Sequence, residues 1–282
     1  MPSPTLTGNI QRHRSFPSRV LDNQRDILVY LPIGYRLSPR RRYPVLYLQD
    51  GQNVFDAATA FAGVEWGVDE TAQRLIREKL IEPIIIVAIP NMGEERIHEY
   101  APTRAVALVG MHKKNRSHGL LRKYGKFLTT ELKPFIDRTY RTRPEADVTG
   151  VGGSSLGGLA SIMLGLWFPQ SFRRLAVMSP SVWWDNQMVV KVVESLEEKP
   201  PLRIWLDTGT CEPGWERARA LRDALLERGW QLEDDLKYTE AEGAEHSERA
   251  WAERVDPMLR FLYPAEPLTS PALAGAANRA SL

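Results

Sequence analysis

Residues 150–160 read GVGGSSLGGLA, five glycines and two serines in eleven positions. Each glycine inside a helix costs about 1 kcal/mol relative to alanine, so this run is not the body of a helix. A loose linker would have polar flanks. Here "DVTGV" leads in as a strand and "LASIMLGLW" leads out as a helix. The run is therefore a sharp strand-to-helix turn in which backbone must pass close to backbone. A chain built around such a turn is confined to folds that alternate strands and helices.

The rest of the sequence carries that alternation. Short apolar runs rich in β-branched residues predict strands at 26–31, 44–49, 83–89, 147–152, 174–178, 203–207 and 236–240. Several are apolar at consecutive positions, which suits strands covered on both faces of a parallel sheet. Between them lie helical patterns. Residues 68–80 place Ala72, Leu75, Ile76 and Leu80 on one face, and 124–140 do the same with Phe127, Leu128, Leu132, Phe135 and Ile136. Further helices are predicted at 155–167, 214–228 and 247–262. The fold class is α/β, a three-layer sandwich with a mostly parallel central sheet and right-handed crossovers. "PIGYRLSPRRRY" is too short for a crossover helix, so the first two predicted strands start the sheet antiparallel. The expected organisation is a flexible segment 1–14, one folded domain 15–263 and a disordered tail 264–282 rich in Ala, Pro and Ser.

Charge and cysteine content narrow the function. The net charge is +2, from 37 basic and 35 acidic residues with no long run of one sign. Nucleic acid and acidic membranes are therefore not expected partners. Cys211 is the only cysteine, so no internal disulfide forms, and no Cys/His cluster has zinc-ligand spacing. The N-terminus lacks the apolar core of a signal peptide, and no apolar run approaches the roughly 20 residues of a membrane span. The expectation is a cytoplasmic protein.

Within the glycine run, Gly153-Ser154-Ser155-Leu156-Gly157 is a G-x-S-x-G, the nucleophile elbow of the α/β-hydrolase fold. The nucleophile projects from a strained turn, and positions two residues to either side must lack side chains. A serine hydroxyl needs a base, and the base needs an orienting acid. His246 is the only histidine after Ser155, in a polar loop before the last helix, where the base belongs in this fold. The acid should follow the strand "RIWLD", with Asp207 and Glu212 as candidates. The oxyanion hole needs two backbone donors. Leu156, directly after the nucleophile, supplies one. The turn "DGQN" offers Gln52 for the other. Ser154 should point into the sheet.

Together, "LYLQDGQNVFD", "EWGVDETAQRLI", "ERIHEYAPT", "YGKFLTTELKPFIDRTYRT", "GVGGSSLGGLASI", "SPSVWW", "IWLDTGT" and "HSERAW" resemble the esterase D-like family of α/β-hydrolases. The similarity spans roughly residues 15 to 263, in the family's order. That family includes siderophore trilactone esterases, feruloyl and acetylxylan esterases, S-formylglutathione hydrolases and mycolyltransferases. The resemblance implies Ser155 as nucleophile and His246 as base. It favours Glu212 as the acid and implies the N–H groups of Gln52 and Leu156 as the oxyanion hole. Reach favours Glu212 as well, because the pleat fixes Asp207 to one face of the sheet while Glu212 lies in the loop beyond.

The expected activity is carboxylic ester hydrolysis through an acyl-enzyme, on a small-molecule ester, with no metal or organic cofactor. Acyl transfer to another alcohol and a non-catalytic binding role are the alternatives. Trp183, Trp184 and Arg96 are expected to contact substrate. The two tryptophans follow a strand at the edge where ligands bind in α/β sheets, with the alternative that one of them is core. Arg96 lies on the same rim with a fork suited to a carboxylate or phenolate, or alternatively to a salt bridge with Glu95, Glu99 or another rim acid.

Overall fold

The computed structural model of the chain describes residues 5–104, 106–109 and 113–265. The strands are β1 (Asn9–Ser18), β2 (Asn23–Leu31), β3 (Val45–Gln49), β4 (Ile85–Ile89), β5 (Val106–Val109), β6 (Lys113–Arg116), β7 (Thr149–Ser154), β8 (Arg174–Met178), β9 (Arg203–Gly209) and β10 (Leu236–Ala241). The helices are α1 (Val68–Arg77), α2 (Arg96–Tyr100), α3 (Leu121–Phe127), α4 (Lys133–Thr139), α5 (Leu156–Trp167), α6 (Trp184–Glu194), α7 (Arg217–Glu227) and α8 (Glu248–Leu262).

Eight strands form one sheet in the order β1-β2-β4-β3-β7-β8-β9-β10, and β5 and β6 form a separate antiparallel pair. From β4 to β10 all neighbours are parallel. The pairs β1–β2 and β2–β4 are antiparallel. The expected antiparallel start is thus present in a different form. β2 and β3 run in opposite directions, but β4 lies between them.

Sequence pattern explains the layers. β3, β4, β8 and β9 are buried at every position, as consecutive apolar residues require in a sheet covered on both faces. Apolar residues of α1 and α8 pack on one face, around Leu46, Leu48, Ile86 and Trp205. Those of α3, α4, α5, α6 and α7 pack on the other, around Val45, Tyr47, Val87 and Val177. Burying each such side chain contributes about 1.5–3 kcal/mol, so the two faces hold the sheet between them.

Two expectations are revised, and a third falls outside the described residues. β1 begins at Asn9, inside the segment expected to be flexible. It is an edge strand of mostly polar residues, "NIQRHRSFPS", without an apolar run to announce it. α6 was not anticipated, and its first residues, Asp185, Asn186 and Gln187, are left-handed, so it lacks an ordinary helix start. The tail expected at 264–282 lies outside the described residues from 266 onward, as does His112.

Candidate active site

The parallel strands β3, β7, β8, β9 and β10 all end at one edge of the sheet, and the loops leaving them make the site. β7 ends at Ser154, and Ser155 turns the chain into α5 with φ 58° and ψ −121°. That conformation costs of order 1–3 kcal/mol and persists only because its surroundings impose it. The Ser155 N–H donates to the Met178 carbonyl at 3.0 Å, and the Ser155 carbonyl accepts from Ser181 N–H at 3.0 Å. Close approach explains the glycines. A Cβ on Gly153 would stand 2.7 Å from Gln49 Oε1, and one on Gly158 would stand 2.7 Å from the Met178 carbonyl oxygen. Ser154 is buried. Leu156 opens α5, where the first N–H groups have no acceptor within the helix and point toward the Ser155 side.

Glu212 lies in the loop beyond β9. Its Oε2 is 2.8 Å from His246 Nδ1, and its Oε1 accepts from Gly209 N–H at 2.7 Å and from the Ser179 hydroxyl at 2.5 Å. Burial works against the Glu212 charge, yet the hydrogen bonds from His246 and Ser179 outweigh it and hold the carboxyl below its ordinary value. His246 precedes Ser247, the N-cap of α8, and its side chain remains 37% exposed. Trp251 of α8 meets the His246 ring edge-on at 4.9 Å. Among the described residues the His246 ring bonds to Glu212, and no hydrogen bond joins it to Ser155. Such bonds often close only when substrate is bound.

Asp207 points elsewhere. Its carboxylate accepts from Ser179 N–H at 3.0 Å and from the Trp205 indole at 2.6 Å, and it faces Arg254 at 3.2 Å. Burial pushes its carboxyl up, opposed by Arg254.

On the other side of Ser155, Asp50 is left-handed at φ 53° and starts the turn Gly51–Asn53 that carries Gln52. Arg96 grips Asp50 with both arms, and Asn91 Nδ2 donates to the same carboxylate at 2.6 Å. Asn91 N–H also donates to Gln52 Oε1 at 3.1 Å. Of the two readings of Arg96, the structure favours the salt bridge to a rim acid over a fork left open for a substrate anion. Its fork is occupied by Asp50, and its side chain is only 28% exposed.

The tryptophan pair divides. Trp183 is 46% exposed and lines the cleft beside His246 with Pro180, Pro213, Trp215 and Arg217. Trp184 is 1% exposed, packs into the core and donates its indole N–H to Thr103 at 3.0 Å. The expectation that Trp184 lines the pocket is corrected accordingly.

The sequence reading missed Ser179, Trp251 and Arg254. One signal was available for the last. Arg254 shares the buried face of α8 with Trp251, Val255 and Met258, and an arginine there needs a buried partner. Among the described residues, Glu65, Asp69 and Glu70 place carboxylate oxygens within 4.8 Å of one another, close enough to share a metal ion. Burial and a hydrogen bond with Glu70 push the Asp69 carboxyl up to about 8.

The family described as "Putative esterase" matches residues 18–262. The uncharacterized protein YbbA of Bacillus subtilis is 24% identical over 92% of this chain and 97% of its own. The ferri-bacillibactin esterase BesA of Bacillus subtilis is 27% identical over 62% of each chain. Among solved structures, the BES protein from Bacillus cereus superposes with a TM-score of 0.72 at 22% identity, over 93% of this chain and 99% of that one. No helix among the described residues is long and apolar enough to cross a membrane.

Proposed function

The chain belongs to this esterase family and is an ester hydrolase, and on that premise we propose that it cleaves small carboxylic esters through an acyl-enzyme on Ser155. The observation that carries this reading is the 2.8 Å contact of Glu212 with His246 at the sheet edge where Ser155 makes its strained turn. His246 takes the Ser155 proton as Oγ attacks the ester carbonyl carbon. Glu212 accepts the Nδ1–H, which fixes the tautomer and stabilises the imidazolium. The N–H groups of Gln52 and Leu156 receive the developing alkoxide. His246 then gives its proton to the leaving alcohol as the carbon–oxygen bond breaks. A water loses a proton to His246 and attacks the acyl carbon. The bond to Ser155 breaks, its proton returns, and the acid leaves.

Trp183 lines the cleft beside His246 and offers a flat apolar wall to the acyl or alcohol part of the ester. BesA is named for a siderophore ester, so siderophore esters and aryl esters are the first substrates to try. The protein is read as working in the cytoplasm. The test is turnover of p-nitrophenyl acetate by Ser155→Ala and Ser154→Ala. The first variant should be inactive and folded, and the second active. The reverse pattern removes Ser155 from the mechanism.

A further inference from the structure

Ser179 stands directly after β8 with φ 40°, in the left-handed region, and is almost wholly buried. Both its backbone N–H and its hydroxyl are engaged. Its N–H donates to the Asp207 carbonyl and to Asp207 Oδ1, each at 3.0 Å. Its Oγ accepts from the Trp251 indole N–H at 2.9 Å and from Arg254 Nη2 at 3.1 Å.

An indole nitrogen and a guanidinium can only donate. A serine oxygen has two lone pairs and one proton. With both lone pairs occupied, the Ser179 proton has one acceptor within reach among the described residues, Glu212 Oε1 at 2.5 Å. The direction of this O–H is therefore set by its surroundings. Arg254 also faces the same Glu212 oxygen at 3.6 Å. All five side chains in this group are buried, where each hydrogen bond is stronger than in water and each unmatched donor costs more. The charged and titratable groups facing Glu212 are His246, Arg254 and Asp207.

We infer that Ser179 is a positioning residue for the reaction, its hydroxyl locked by Trp251 and Arg254 so that it holds Glu212 with Oε2 turned to His246. The inference rests on the reading of Glu212 and His246 as acid and base. Trp251 gives the arrangement a second hold, since the same ring that donates to Ser179 packs against the imidazole. Helix α8 thus braces both the acid, through Ser179, and the base.

The test compares Ser179→Ala, Ser179→Thr and Trp251→Phe, with Glu212→Gln as the reference. Steady-state kinetics on p-nitrophenyl acetate are read beside the low-field proton resonance of His246 Nδ1–H. Ser179→Ala keeps the backbone and removes the donor. Its kcat should fall about ten- to a hundredfold with KM changed by less than about twofold, and the resonance should move. Ser179→Thr restores the hydroxyl but puts a β-branched carbon at φ 40°. It should be less stable than the Ala variant yet recover most of kcat, which a purely structural role does not predict. Trp251→Phe keeps the ring on His246 and frees one Ser179 lone pair, so its kcat should fall by less; it is the variant to read if Ser179→Ala does not fold. If Glu212→Gln is crippled while Ser179→Ala and Trp251→Phe keep wild-type kcat and resonance, the inference is overturned. If Glu212→Gln itself is fully active, the reading of Glu212 fails first.

Discussion

Arg96 holds both carboxylate oxygens of Asp50, at 2.7 and 2.8 Å, across 46 residues of sequence. Asp50 is buried and left-handed, and it starts the turn Gly51–Asn53 that carries Gln52, the residue proposed to supply one oxyanion-hole donor. Arg96→Gln leaves that carboxylate with the Asn91 amide as its hydrogen-bond donor among the described residues, while the Asp50 backbone N–H still donates to the Tyr100 hydroxyl. The variant should lose about 2 kcal/mol of stability and lower kcat for neutral and anionic esters alike. Urea unfolding and a two-substrate kinetic comparison check this. A selective loss on anionic esters would return Arg96 to substrate binding.

The two glycines Gly153 and Gly34 should respond very differently to alanine. At Gly153 a Cβ would stand 2.7 Å from Gln49 Oε1 and 3.0 Å from the Gly157 carbonyl carbon. Overpacking of that kind costs about 1–3 kcal/mol, and the elbow must shift with it, so activity should fall as well. At Gly34 nothing lies within 4 Å and only the φ of +81° opposes a side chain. Gly34→Ala should cost about 1 kcal/mol and leave kcat unchanged. Denaturation midpoints and kcat for the two variants decide it.

Glu212 and Asp207 should differ in how far each acts on kcat. Glu212 contacts His246, whereas Asp207 contacts Ser179, Trp205 and Arg254. Glu212→Gln should cut kcat by up to about 10⁴-fold. Asp207→Asn should cut it by less than about tenfold and act mainly on stability by leaving Arg254 short of a buried counter-charge. Kinetics and thermal unfolding of both proteins test the split.

Acid should erase the stabilising part of Glu212. Burial alone would raise its carboxyl, but His246 and Ser179 hold it below its ordinary value. As pH falls, the unfolded chain takes up the proton first. The stability that Glu212 contributes is therefore complete above about pH 5 and is lost as pH drops through the lower folded value. The gap in urea midpoint between wild type and Glu212→Gln should be constant from pH 7 to about pH 5 and narrow below that. A gap that widens in acid contradicts the account.

What was legible in the sequence follows from how local the cause is. The elbow could be read because Gly153, Ser155 and Gly157 answer to crowding within one turn. β3, β4, β8 and β9 could be read because burial on both faces leaves consecutive apolar residues. β1 could not, since an edge strand needs no such run. Which of Trp183 and Trp184 faces the cleft depends on the tight turn in which Trp184 N–H meets the Ser181 carbonyl, and two adjacent identical residues give no clue to it. The partners Asp50–Arg96 and Ser179–Arg254 come from distant parts of the chain. Only the sheet order brings them together, and the placement of β4 between β2 and β3 was not written in any local pattern.

Covalent labelling tests the central proposal most directly. The wild-type protein is treated with a fluorophosphonate, digested and mapped by mass spectrometry, beside Ser155→Ala, Ser154→Ala and His246→Ala. The account predicts one label per chain on Ser155, retained in Ser154→Ala, absent from Ser155→Ala and strongly slowed in His246→Ala, with label uptake matching loss of esterase activity. A label on another residue that tracks the loss of activity, or full turnover by Ser155→Ala, would contradict it.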